Sequence, residues 1–141
     1  MKSAKQPAKR TSKGNTYLAV AEYRLRDCNA LLKTARWDAA VYLAGYVIEC
    51  RLKYAITQFQ GAAHLPQQYA SGGKGHEWDF LLQASGLKLD LASQTGTAYS
   101  ALKDEWEPSL RYAVNKFDRS KAEKFCTLVR AVYDWLKDSC S

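Results

Sequence analysis

The sequence lacks any long apolar run. In its most apolar segment, residues 39–48 form an uncharged stretch far shorter than the roughly 20 residues that a membrane-spanning helix needs. No apolar segment follows the N-terminal basic residues, as a secretory signal would require. We therefore expect a cytoplasmic protein that makes no membrane contact.

Histidine and cysteine are also scarce. The only histidines are His64 and His76, and the four cysteines are isolated at Cys28, Cys50, Cys126 and Cys140. Zinc sites need paired ligands at short spacing, so we expect reduced structural thiols, no metal site and no cofactor. Neither a serine-nucleophile motif nor the phosphate-binding loop of nucleotide hydrolases is found in the sequence.

Positive charge is concentrated at the N-terminus of a chain whose net charge is +7. Five basic residues precede the first acidic one: Lys2, Lys5, Lys9, Arg10 and Lys13. A segment of this composition buries too little apolar surface to offset its ordering entropy, so residues 1–15 are predicted to form a disordered tail. The alternatives are a basic arm that holds nucleic acid through its phosphates, or a transit peptide interrupted by Pro7 and Gly14.

Residues 16–138 are predicted to form one all-α domain, since no segment alternates apolar and polar residues as a half-buried strand does. Apolar residues recur at helical spacing in five segments. The first begins at about Asn15 or Thr16, the second runs from Trp37 to about Gln58, and the third runs from His76 to Gly86. The fourth begins within residues 92–97 and breaks at Pro108, and the fifth follows a cap at Asp118 or Ser120. The economical architecture is an antiparallel up-and-down bundle of four to five helices, with a mobile loop at residues 60–75.

Three segments carry a family resemblance. They are Trp37-Asp38-Ala39-Ala40 continuing to Glu49 and Lys53, then Gly75-His76 before Leu81-Leu82, then Trp106 followed by Arg111-Tyr112. In this order they resemble the HEPN family of small helical domains associated with prokaryotic nucleotidyltransferases and RNases. The resemblance covers about residues 17–136.

The resemblance implies a homodimeric bundle whose relatives include metal-independent RNases. In those RNases an arginine is commonly followed four to six residues later by a histidine, in a cleft between the subunits. No histidine follows Arg111 in that window, so this sequence departs from the RNase motif.

Arg111 is the first candidate for a ligand site, because a guanidinium can contact phosphate while Tyr112 stacks on a base. Asn115 would lie one turn beyond Arg111 if the helix continued, and it could add hydrogen bonds. In the competing interpretation, Arg111 pairs with Glu49 or another carboxylate inside the bundle, and Trp106 and Tyr112 are core aromatics.

Glu49 and Lys53 are the second candidates, since with Arg111 they could line a polar cleft. Glu49 would act as a general base if burial raised its pKa, or would simply be neutralised by Lys53 or Arg111. His76 either orders the start of a helix or helps to form an anion site there. Arg111, Glu49 and His76 are thus the catalytic candidates, and Lys53, Arg111, Tyr112 and Asn115 are the ligand-binding candidates.

Three functions follow from these candidates together with the resemblance. The first is a HEPN-like module that binds RNA, a nucleotide or a partner protein such as a nucleotidyltransferase, and the resemblance implies a toxin–antitoxin, defence or nucleotidyltransferase-associated system for it. The second is a metal-independent RNase with a degenerate site that uses Arg111 with Glu49 or His76. The third is a structural adaptor.

Overall fold

The computed structural model describes residues 12–61 and 76–141. Five α-helices and one 3-10 helix make up these two ranges, which contain no strand. They are α1 (Ser12–Lys33), α2 (Trp37–Gln60), α3 (Trp78–Ser85), α4 (Gln94–Glu105), the 3-10 helix Pro108–Tyr112 and α5 (Arg119–Ser139). The expected all-α bundle is confirmed for this part of the chain. None of these helices has the length and apolar character needed to cross a membrane.

α2 is the central helix. It packs against α1, α5, α3 and the 3-10 helix, while α4 packs on α5. The apolar stripe predicted from Trp37 onward is buried at Val41, Ala44, Ile48 and Leu52, and part-buried at Trp37 itself. Because neighbours surround this helix, the charged side chains of Glu49, Arg51 and Lys53 are buried as well.

A three-residue joint reverses the chain between α1 and α2. Ala35 adopts a left-handed conformation with φ 59°, and the Arg36 N–H donates to the Leu31 carbonyl at 2.9 Å. The two helices therefore run antiparallel. As a result Tyr17, near the start of α1, lies beside Lys53, near the end of α2, with 5.8 Å between the ammonium and the ring centroid.

The helix boundaries follow the predicted start and stop residues in most places. The Asp118 carboxylate caps α5 by accepting from the Lys121 N–H at 2.9 Å, and Gly86 ends α3 with φ 82°. The start of α1 is different: it lies at Ser12, so Asn15 and Thr16 are inside the helix and residues 12–15 of the predicted tail are helical. Adding a turn to an existing helix is inexpensive, and no proline follows Ser12 to stop it.

Two predicted segments lie outside the described residues. They are residues 1–11 of the basic tail and residues 62–75 of the loop, which include His64.

Candidate functional site

Glu49 and Lys53 form a buried ion pair on α2. The Lys53 ammonium donates to Glu49 Oε2 at 2.9 Å, and the two side chains are 4% and 1% exposed. Charges removed from water need close partners to offset their lost hydration. The pair therefore belongs to the interior of the bundle and does not line an open cleft.

His76 joins this pair. Its Nδ1 lies 3.0 Å from Glu49 Oε1, so both carboxylate oxygens have partners, while the His76 side chain remains one-third exposed. We call Glu49, Lys53 and His76 the Glu49 cluster. The contact ties the segment before α3 to α2, as expected of a histidine that orders a helix start. A histidine held through one ring nitrogen can still exchange a proton through the other.

A groove of about 380 Å³ lies beside His76. We call it the aromatic groove because Trp78 and Trp106 contribute to its lining. Its other lining residues are His76, Glu77, Asp79, Lys103, Glu107 and Pro108. Three carboxylates face two basic groups here, so the groove is acidic although the chain is basic.

Five aromatic rings run in a row from α2 past the aromatic groove to α4. The row, in spatial order, is Tyr46, Tyr42, Trp106, Trp78 and Tyr99, with ring centroids 6.3, 6.1, 5.5 and 5.9 Å apart. Stacked and tilted rings at such distances attract one another beyond simple area burial. The aromatic row therefore fixes the 3-10 helix region against α2 and α3.

Gly45 permits this arrangement. A Cβ at this position would lie 2.2 Å from the indole of Trp106, so no larger residue fits without moving the ring. The Trp106 indole N–H also donates to the Tyr42 carbonyl at 3.1 Å. The sequence placed Trp106 in the core correctly, but gave no sign of its contact with Gly45.

Arg111 and Tyr112 lie on the surface. The Arg111 guanidinium is 5.1 Å from the centroid of the Tyr112 ring, and Tyr112 is 75% exposed. Hydrogen bonding to Tyr112, and secondly to Tyr42, raises the pKa of Arg111. Among the described residues Arg111 makes no ion pair. The alternative in which Arg111 pairs with Glu49 and Tyr112 is a core residue is therefore wrong, because Lys53 and His76 already occupy the Glu49 carboxylate.

Asn115 does not extend a helix from Arg111. The 3-10 helix ends at Tyr112, and Asn115 has a left-handed backbone with φ 57°. The following segment is held by Asp38, whose carboxylate accepts from the Lys116 N–H at 3.1 Å and from the Phe117 N–H at 2.7 Å. Asp38 lies in the first turn of α2 as predicted, but its role as an anchor for this loop was missed.

The Glu49 cluster and the Arg111–Tyr112 pair both lie along one face of α2. Tyr42, Tyr46, Glu49 and Lys53 recur at steps of four, three and four residues, which places them on the same side of a helix. Arg111 contacts Tyr42 and His76 contacts Glu49, seven residues and therefore about 10 Å further along the axis. The structure brings Glu49, Lys53 and His76 together, with Arg111 and Tyr112 further along that face.

The Cys50 thiol and the Tyr46 phenol, both near Glu49, stay neutral at ordinary pH. Burial raises the pKa of the Cys50 thiol to about 12, and the Glu49 charge adds to the effect. Burial likewise raises the pKa of Tyr46, followed by the influence of Cys50 and Glu49. Neither group supplies a nucleophilic anion, which leaves His76 and the exposed Arg111 as the groups available for chemistry or binding.

A second, larger groove of about 540 Å³ lies between α4 and α5, and no sequence pattern predicts it. Its floor includes Leu102 and Phe125. Carboxylates line one part and lysines another: Asp104, Glu105 and Glu107, against Lys116, Lys121 and Lys124. None of the predicted site residues lines this groove.

Over residues 12–61 and 76–141, no three side chains of His, Cys, Asp or Glu come together in a way that could hold a metal ion. Comparison with protein-family models, with curated proteins and with solved structures finds no match to this chain. The HEPN resemblance stays a prediction from the sequence.

Proposed function

We propose that this chain is a HEPN-like module that binds a phosphate-bearing ligand, RNA or a nucleotide, at Arg111 and Tyr112. The observation that carries the proposal is the exposed Arg111 guanidinium, which has no carboxylate partner among the described residues and lies against the phenols of Tyr112 and Tyr42. A guanidinium of this kind suits phosphate, and the exposed Tyr112 ring beside it suits stacking on a base.

The neighbouring face of α2 extends this surface. Tyr42 and Tyr46 are half-buried and stacked, so they present aromatic area close to Arg111. In the proposal two copies associate through this region in the cytoplasm, and each copy contributes one Arg111. A nucleotidyltransferase-type partner in a toxin–antitoxin or defence system completes the assembly. The homodimer is checked by light scattering of the purified chain.

The chain offers a matched control for the binding site. Arg26 lies 5.0 Å from the ring centroid of Tyr23 on the exposed side of α1, a geometry nearly identical to the 5.1 Å of Arg111 and Tyr112. Arg26→Glu and Arg111→Glu change the net charge equally. A difference between them therefore reports the site and not the overall attraction of a basic chain for RNA.

The test is fluorescence anisotropy with a labelled single-stranded RNA at low salt. Arg111→Glu is expected to weaken binding at least about tenfold, and Arg26→Glu by less than about threefold. The slope of log affinity against log salt should fall by about one for Arg111→Glu. Equal losses in the two variants, or no binding by the unmodified chain, would refute the proposed site.

One observation favours a second candidate, a metal-independent RNase. His76 is oriented by Glu49 at 3.0 Å and lines the aromatic groove, as a proton-transferring histidine would be. Single-stranded RNA incubated with the chain and a metal chelator should then be cut, and His76→Gln should abolish the cleavage. Lys103→Gln, at the same groove, is the control. RNA that stays intact, or cleavage that survives Arg111→Ala, counts against this candidate.

A further inference from the structure

Cys28 and Cys126 meet inside the bundle although 98 residues separate them. Their sulfur atoms lie 3.5 Å apart, with Cys28 on α1 and Cys126 on α5. All four cysteines are free thiols, and the spacing along the sequence suggested no pairing. A contact between two thiols from distant helices sets this pair apart from Cys50 and Cys140.

The surroundings of the pair favour a reactive thiolate. The contact with Cys126 lowers the pKa of Cys28, against the opposing effect of burial, and the positive charge of Arg130 assists. The pKa of Cys126 is raised by the same contact and by burial. The two thiols therefore titrate together, and loss of the first proton is favoured at Cys28.

The two cysteines differ in exposure. Cys28 is 1% exposed, whereas Cys126 is part-exposed. A reagent that reaches the Cys28 sulfur must therefore be small, which suits a small neutral oxidant.

We propose that Cys28 and Cys126 form a redox modification site that reacts with hydrogen peroxide and closes an intramolecular disulfide between α1 and α5. The site is independent of the Arg111 surface, so either proposal can fail without the other.

The reaction balances with peroxide as the only co-reactant. The Cys28 thiolate attacks one peroxide oxygen, the O–O bond breaks, and the departing hydroxide takes up a proton as water. Cys126 then loses its proton and its sulfur attacks the Cys28 sulfenic acid, so that the S–S bond forms and the S–O bond breaks with release of a second water. Two thiols lose two electrons, and peroxide is reduced to two waters.

The closure demands a small movement. A disulfide has an S–S distance of about 2.05 Å, so the sulfurs must approach by about 1.5 Å, which side-chain rotation and a slight shift of α5 can supply.

The other thiols are poorly placed for this reaction. Burial and Glu49 raise the pKa of Cys50 to about 12, and Cys140 is buried in a separate apolar cluster with Tyr54 and Phe59.

The experiment treats the full chain with hydrogen peroxide, then counts free thiols after denaturation and maps the peptides by mass spectrometry. The expected result is a loss of two thiols and one crosslinked peptide pair containing Cys28 and Cys126, in a monomer-sized product that dithiothreitol reverses. Cys126→Ser and Cys28→Ser should each prevent the crosslink, and Cys50→Ser should not.

A second measurement does not depend on the folding of a variant. Because the crosslink joins positions far apart in the sequence, it should raise Tm of the unmodified chain, and dithiothreitol should cancel the rise. Four surviving thiols under oxidation, sulfinic acid on an uncrosslinked Cys28, or disulfides found only between chains through Cys140 would each overturn the proposal.

Discussion

The Glu49 cluster and the Arg111 surface hold similar charged groups in opposite environments. In the cluster, Lys53 and Glu49 are almost fully buried and each carboxylate oxygen has a partner. Arg111 is exposed, and it contacts aromatic rings and no carboxylate among the described residues. The charges of Glu49 and Lys53 therefore stabilise the interior of the fold, whereas the charge of Arg111 is accessible to a ligand.

The two regions are linked along α2. The aromatic row begins at Tyr46 and Tyr42, next to Arg111, and continues through Trp106 to Trp78, beside His76. Because the cluster is buried and the Arg111 surface is exposed, a change in the cluster should still act mainly on stability, and a change at the surface mainly on binding. Substitutions of Glu49 in the cluster, of Gly45 beside the aromatic row and of Asp38, which holds the loop at Lys116 and Phe117, test this separation.

Glu49→Gln is expected to have the largest effect. It leaves the Lys53 ammonium buried opposite a neutral amide, and breaking a buried pair in this way costs about 3–5 kcal/mol. Urea unfolding measures the loss. The control is Glu123→Gln, whose exposed carboxylate lies 3.8 Å from Arg119 Nε and should contribute less than about 0.5 kcal/mol. Adding Lys53→Met should recover stability; a Glu49→Gln loss below about 1 kcal/mol would show that water reaches the cluster.

Gly45→Ala should have the next largest effect. The added Cβ would collide with the Trp106 indole, and forced repacking of this kind typically costs about 1–3 kcal/mol. Equilibrium unfolding of Gly45→Ala is compared with the same substitution in a Trp106→Ala background. There the indole is gone, so alanine should be neutral or stabilising because it favours helix over glycine. Equal costs in both backgrounds would contradict the steric explanation.

Asp38→Ala tests the attachment of the Arg111 surface to α2. Losing the carboxylate removes the acceptor for the Lys116 and Phe117 N–H groups and should cost about 1–2 kcal/mol. Hydrogen exchange should show these two amides losing protection while amides within α2 change little. If their exchange in the unmodified chain is already unprotected, Asp38 does not anchor the loop in solution.

The same substitutions show how far the sequence could predict this structure. Helical spacing and capping residues such as Asp118 depend on neighbours within one or two turns, and they predicted the helices closely. Asp38 meets its partners 78 residues away, and Gly45 meets Trp106 across the bundle. Such contacts depend on how the helices pack, which no local pattern encodes.

The candidate site divides in the same way. Glu49 and Lys53 are four residues apart on one helix, so their ion pair could be predicted from the sequence. Their deep burial could not be predicted, because it depends on the helices that pack around α2. Arg111 was recognised as a charged candidate, but its exposure follows from the 3-10 helix that begins at Pro108 and ends at Tyr112. A proline breaks a helix predictably, whereas the direction of the chain after it is set by tertiary contacts.

Asp79→Asn should have the smallest effect and sharpens the comparison, because Asp79 pairs with Lys103 at 2.7 Å on the surface and not in the interior. Partial burial acts to raise the pKa of Asp79, but the hydrogen bonds from Lys103 and Tyr99 outweigh it and the pKa is lowered. A lowered carboxyl pKa contributes stability above the unfolded value, and the contribution disappears as pH falls through the folded value.

The expected contribution of Asp79 at pH 7 is below about 1 kcal/mol, since water and salt screen an exposed pair. Tm of the unmodified chain should exceed that of Asp79→Asn slightly at pH 7, and the gap should close as the pH falls through the lowered pKa of Asp79 and narrow in high salt. The Glu49→Gln loss should respond much less to salt, because buried charges are poorly screened. Equal salt sensitivity in the two variants would mean that the Glu49 cluster is hydrated. The distinction between charges buried in the fold and charges accessible to a ligand would then fail.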